Sequence, residues 1–109
     1  MAIPKCRVLN LKDNNVDTTA YLIKCDNTYY GVLIRDEIPY HSKQYVRVFH
    51  KYVVFRVDGK NSRVAWKNLK DYWSKKMWKL KPMPKHIDRD DADSAIALVQ
   101  YTLTKKIPG

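Results

Sequence analysis

The alternation of apolar and polar positions changes character once along this chain. Up to about residue 66 it runs with period two, the spacing of side chains on strands, and after that apolar residues recur at helical spacing. The stretch "KCRVLNL" reads as a short strand, and the turn-rich "KDNNVDT" follows it. "AYLIKCDNTYYGVLIR" reads as a hairpin with Asp26 and Asn27 at its tip, since both tolerate the backbone of a tight turn. That register sets Cys25 against Thr28, Ile23 against Tyr30 and Tyr21 against Val32. One face then carries Tyr21, Ile23, Cys25, Tyr30, Val32 and Ile34 as core. The other, with Lys24, Tyr29 and Arg35, is expected to be mixed and half exposed.

"QYVRVFHKYVVFRVDGKNSRVAW" is rich in β-branched and aromatic residues and reads as two or three more strands. A turn at His50 and Lys51 would pair Val48 with Val53, and a loop over "DGKN" would pair Arg56 with Arg63. Val46, Val48, Val53, Phe55, Val57, Val64 and Trp66 then face the core, while Tyr45, Arg47, Arg56 and Arg63 share the reverse face. Guanidinium groups opposed across strands repel one another, and a bridging anion would relieve this.

Helical period takes over in "WKNLKDYWSKKMWKLKPMPKH", which holds all three tryptophans and seven lysines. Trp66, Leu69, Trp73, Met77 and Leu80 fall on one core-facing stripe. Lys75 and Lys79 lie on the opposite side, and Trp78 falls off the stripe near Lys67. Pro82 and Pro84 stop the helix. A last helix begins with Asp88, Asp90, Asp91 and Asp93 and ends with Lys105 and Lys106, the order that complements its dipole. Ala92, Ala95, Ile96, Val99 and Leu103 form its stripe, yet Leu98 and Tyr101 fall elsewhere. A helix so apolar all round is buried on more than one side, and a homodimer through it is one way to achieve that.

The expected fold is α+β within one domain. A curved, mainly antiparallel sheet of about five strands spans residues 1–66, and an SH3-like or OB-like barrel is compatible with it. A short basic helix over 67–81 and a longer C-terminal helix over 88–106 follow. At 109 residues the chain suits one core. No apolar run is long enough to span a bilayer and "MAIPKCRVLN" lacks an apolar leader core, so an intracellular, cytoplasmic protein is expected, with no membrane partner. Reduced, buried thiols at Cys6 and Cys25 follow from that compartment.

Charge sharpens the functional reading. The net charge is +10, and residues 35–86 hold fourteen of the 21 Lys and Arg but only Asp36, Glu37, Asp58 and Asp71 as acids. An excess so confined gives one region a positive potential suited to polyanions. No chemistry competes with it. His41, His50 and His86 are scattered, the aspartate cluster lacks the glycine and terminal glutamate of a calcium loop, and there is no phosphate-cradling loop or nucleophile elbow. The expectation is a non-enzymatic nucleic-acid-binding protein without metal or cofactor. Its phosphate contacts would come from Arg47, Arg56, Arg63, Lys67, Lys75 and Lys79, with Tyr45 and Trp78 stacking. The alternative is an interaction module, an inhibitor or adaptor, docking the basic surface on an acidic or nucleic-acid-binding protein partner.

Overall fold

A computed structural model describes residues 4–14, 18–37, 49–76, 78–82 and 92–104. Five strands and two helices follow in the order β1 (Cys6–Asn14), β2 (Thr18–Cys25), β3 (Thr28–Glu37), β4 (Phe49–Val57), α1 (Ser62–Lys75), β5 (Lys81–Pro82) and α2 (Ala92–Thr104). The strands form one antiparallel sheet in chain order, β1-β2-β3-β4-β5.

The expected curved, barrel-like sheet is therefore corrected. The sheet is open: β1 forms one edge, the two-residue β5 forms the other, and they do not pair. A small barrel packs its strands around their own side chains, whereas here each face is covered by a helix. On one face Tyr21, Ile23, Cys25, Val32, Ile34 and Tyr52 pack with Ala95, Leu98 and Val99 of α2. On the other, Ala20, Leu22, Leu33 and Val57 pack with Ala65 and Leu69 of α1. Lys24, Tyr29 and Arg35, the residues named for that second face, are half-buried as expected, but the face as a whole is not half exposed. Instead every residue of β2 except Lys24 is buried, the signature of a strand covered on both sides.

The β2–β3 hairpin has the register read from the sequence, with Cys25 opposite Thr28, Ile23 opposite Tyr30 and Tyr21 opposite Val32. Asp26 takes a left-handed backbone at φ 53°, as the tight turn requires. The next hairpins differ. β4 runs straight through His50 and Lys51, which pair with Asp36 and Arg35 of β3, so no turn lies there. Opposite Gly31 stands Phe55, whose ring lies where a Cβ on Gly31 would come within 2.5 Å of it. The ring also stacks at 4.0 Å on Tyr72 of α1, so this glycine lets helix and sheet approach.

"DGKN" introduces a helix, not a strand. Asn61 has extended backbone and accepts a hydrogen bond from the Val64 N–H at 3.0 Å through its Oδ1, the arrangement of a helix N-cap. The Asn68 amide donates at 2.6 Å to the Asp58 carbonyl and ties the connection to the first turns. Helix α1 thus starts five residues earlier than expected and ends sooner. Lys76 turns left-handed at φ 52° and donates its N–H to the Trp73 carbonyl.

The buried stripe of α2 is also rotated relative to the expected one. Ala95, Leu98 and Val99 are buried, while Leu103 is 37% exposed. Leu98, which had suggested a second partner, fills its own core. The aspartates at 88, 90 and 91 and the lysines at 105 and 106 lie outside the described residues, and Asp93 occupies the first turn.

A disulfide between Cys6 and Cys25 corrects the expectation of reduced thiols. The two cysteines stand directly opposite one another across β1 and β2. Further along, the register with β2 shifts between Val8 and Lys12, a bulge or irregularity in the edge strand. Near the bridge the Asp26 N–H donates to the Lys5 carbonyl at 3.4 Å, and the Gln100 amide donates to the Pro4 carbonyl at 3.1 Å. Among the described residues no helix is long and apolar enough to cross a membrane.

Candidate nucleic-acid interface

Moving the start of α1 to Ser62 rearranges the basic residues. Ala65 and Leu69 are buried and fix which side of the helix meets the sheet. Arg63, Lys67 and Lys70 are exposed, and with Ser74 they occupy an arc of about 60° on the side away from the sheet. No acid occupies the first turn, and Asp71 is the helix's one carboxylate. Among the described residues of 56–82, nine cations (one every three residues on average) are exposed, against two carboxylates, Asp58 and Asp71, so the segment carries a net positive charge.

The expected sheet face of opposed arginines does not form. Arg56 stands on β4 opposite Tyr30, and Arg63 is on the helix. Arg56 also approaches Asp58 at 3.9 Å, but both side chains are mostly solvated, where such a pair adds little. Lys75 closes α1, and Lys79 lies exposed beyond it. Tyr45 and Arg47 lie outside the described residues.

The three indoles separate by their contacts. Trp78 is half-buried against the α1-side core, and its Nε1–H donates to the Tyr72 carbonyl at 3.0 Å. That bond also satisfies a carbonyl near the helix C-terminus. Trp73 is half-buried against the same core. Trp66, expected to be core, is half-buried against that core too, and the Lys70 Nζ stands 5.7 Å from the centre of its ring. Lys70 and the half-buried Trp66 are the residues bordering this surface that sequence reasoning left out of the site; for Lys70 the signal is the spacing of 63, 67 and 70, which shows once the helix begins at Ser62.

Two grooves border this surface. One of about 510 Å³ is lined by Arg63, Val64, Trp66, Lys67, Lys70 and Asp71, with mainly apolar walls and a charged rim. The other, of about 310 Å³, lies between the end of β4 and α1, where Asp58, Asp71, Asn68 and Tyr72 meet Lys75. Its charges are mixed in sign. Among the described residues no group of three or more His, Cys, Asp or Glu side chains is placed to hold a metal ion.

No family model, curated protein or solved structure matches the chain.

Proposed function

We propose that this chain is a non-enzymatic nucleic-acid-binding protein that grips the phosphate backbone along the exposed side of α1. The observation that supports the reading is the ridge of Arg63, Lys67 and Lys70 opposite the buried Leu69, in a segment with few carboxylates. A helix that spends one side on the sheet can present the other to a polyanion without disturbing the core. Lys75, which lines the groove toward β4, and Lys79, exposed past the helix, flank the ridge near its C-terminal end. Arg56, on the strand, and Trp78, already hydrogen-bonded, belong to its margin. Tyr45 and Arg47 enter the proposal on sequence alone.

Binding would release counterions, so affinity falls with salt. Three phosphates neutralised by Arg63, Lys67 and Lys70 contribute a slope of about −2.7 in log K against log salt on duplex DNA and about −2 on a single strand. Titration of labelled duplex DNA, single-stranded DNA and RNA at two salt concentrations tests this. Binding no tighter than that of an unrelated basic protein of equal charge sinks the proposal. Capture of an acidic protein with no nucleic-acid affinity would support the interaction-module reading in its place.

The proposed setting is the cytoplasm, with no cofactor. The Cys6–Cys25 disulfide pulls against that compartment, where thiols are normally kept reduced. A homodimer through α2 is a separate proposal, supported by the exposed Leu103. A monomer in sedimentation at high micromolar concentration would remove it.

A further inference from the structure

The Trp66 groove bears on which form of nucleic acid this surface takes. A groove for a bare phosphate chain needs only cations, and a groove for an apolar ligand needs only hydrophobic walls. This one combines them: Trp66 and Val64 line it together with Arg63, Lys67 and Lys70, three cations against the single carboxylate of Asp71. Its volume, about 510 Å³, is that of a cleft for a small organic group.

The indole is available as well as present. Trp78 has its N–H engaged by Tyr72 and its ring against the core, and Trp73 packs against the same core. Trp66 packs against that core as well, but it also lines the groove, and the ammonium of Lys70, an exposed side chain, stands 5.7 Å from its ring centre. What an exposed side chain reaches, a flat aromatic group from solution also reaches.

We infer that this groove takes an unpaired base of a single-stranded nucleic acid, stacked on Trp66, with its flanking phosphates on Arg63 and Lys67. The inference rests on the nucleic-acid reading above and narrows it. A base in a duplex has both π faces covered by its neighbours, whereas a base in a single strand presents one. Arg63 and Lys67 are one helical turn apart, a rise of about 6 Å, so both can reach consecutive phosphates of one strand. Asp71 lies a turn further on and repels phosphate, which directs the backbone to the Arg63 end. Stacking tolerates any base, so broad sequence preference follows.

The test uses the full chain and three probes: a fluorescent oligothymidylate, a duplex of equal length, and inorganic polyphosphate as a polyanion without bases. Trp66→Ala should weaken oligothymidylate binding at least about tenfold, the loss expected of one stacked base, while polyphosphate binding changes less than about twofold. Trp66→Phe, which keeps an aromatic face, should recover most of the affinity. In a Trp73→Phe, Trp78→Phe background the remaining Trp66 fluorescence should be quenched by oligothymidylate and not by polyphosphate, a readout that holds even if Trp66→Ala fails to fold. Equal losses for oligothymidylate and polyphosphate, absent quenching, or a duplex bound as tightly as the single strand would overturn the stacking inference and leave the phosphate ridge standing. Failure of all three probes to bind would overturn the ridge as well.

Discussion

Removing the Cys6–Cys25 bridge should lower stability by about 3 kcal/mol, because the crosslink closes a loop of known length in the unfolded chain. The two cysteines are 19 residues apart, and the chain-entropy relation for a loop of that size gives about 11 cal/mol/K, or about 3 kcal/mol at 25 °C. The bridge joins directly paired residues of β1 and β2, so the native hairpin already holds them together and gains little from being tied. The effect is thus mainly one on the unfolded state. For 109 residues the unfolding entropy is about 230 cal/mol/K, so the melting temperature should fall by roughly 13 °C. A Cys6→Ala, Cys25→Ala double variant suits the measurement, since Cys25 is only 3% exposed and a polar replacement would add its own burial cost. Scanning calorimetry of the chain and this variant, each with and without a phosphine reductant, makes the comparison. Reduction should lower the midpoint of the parent towards that of the variant and leave the variant unchanged. Two alkylatable thiols in the untreated native protein, or a parent whose midpoint ignores reductant, would refute the reasoning.

Three further outcomes follow from the packing. Asn61→Ala removes the acceptor for the Val64 N–H and should cost about 1 kcal/mol in urea unfolding, while Asn61→Asp should keep most of it. Gly59→Ala would place a Cβ 2.6 Å from the Ala65 backbone nitrogen, and helix backbone gives way poorly. A loss of about 1–3 kcal/mol is expected, larger than for Gly31→Ala, whose new methyl meets the movable end of the Phe55 ring; the reverse order in thermal melts would contradict this. Burial raises the Tyr52 hydroxyl above its ordinary pKa, Tyr101 adds to the rise and a Thr102 hydrogen bond offsets part of it. Folding thus disfavours the phenolate: the stability is intact below the ordinary value of about 10 and is lost as pH climbs through the folded value. Tyr52→Phe should flatten the fall in urea midpoint above pH 10, and parallel curves for the two proteins would exclude Tyr52 as its source.

Much of the candidate interface was visible in the sequence as a charge excess, because charge counts do not depend on how the chain folds. Its arrangement was not. Short runs such as "SRVAW" hold β-branched and aromatic residues that suit a strand as well as the first turns of a helix. Reading them as a strand placed Arg63 beside Arg56. What decided for the helix was the cap made by Asn61, together with the bed that Leu22, Leu33 and Gly31 offer to Leu69 and Tyr72.

The sequence by itself determined the features that are local. The β2–β3 register follows from a two-residue turn, the existence of a C-terminal helix, expected over 88–106 and described over 92–104, follows from its apolar spacing, and the basic middle follows from composition. Tertiary structure alone decided what depends on distant partners. Whether the second face of β2 meets water or a helix is settled by a segment some forty residues further on, and alternating strands carry the same side chains in either case. Whether Cys6 meets Cys25 depends on the pairing of an edge strand that contains a bulge, and each extra residue there shifts which side chains face each other. Trp66 lies half-buried at the edge of the core for the same reason: the helix axis is fixed by where Leu69 fits against the sheet, and every other side chain on α1 takes the direction that remains.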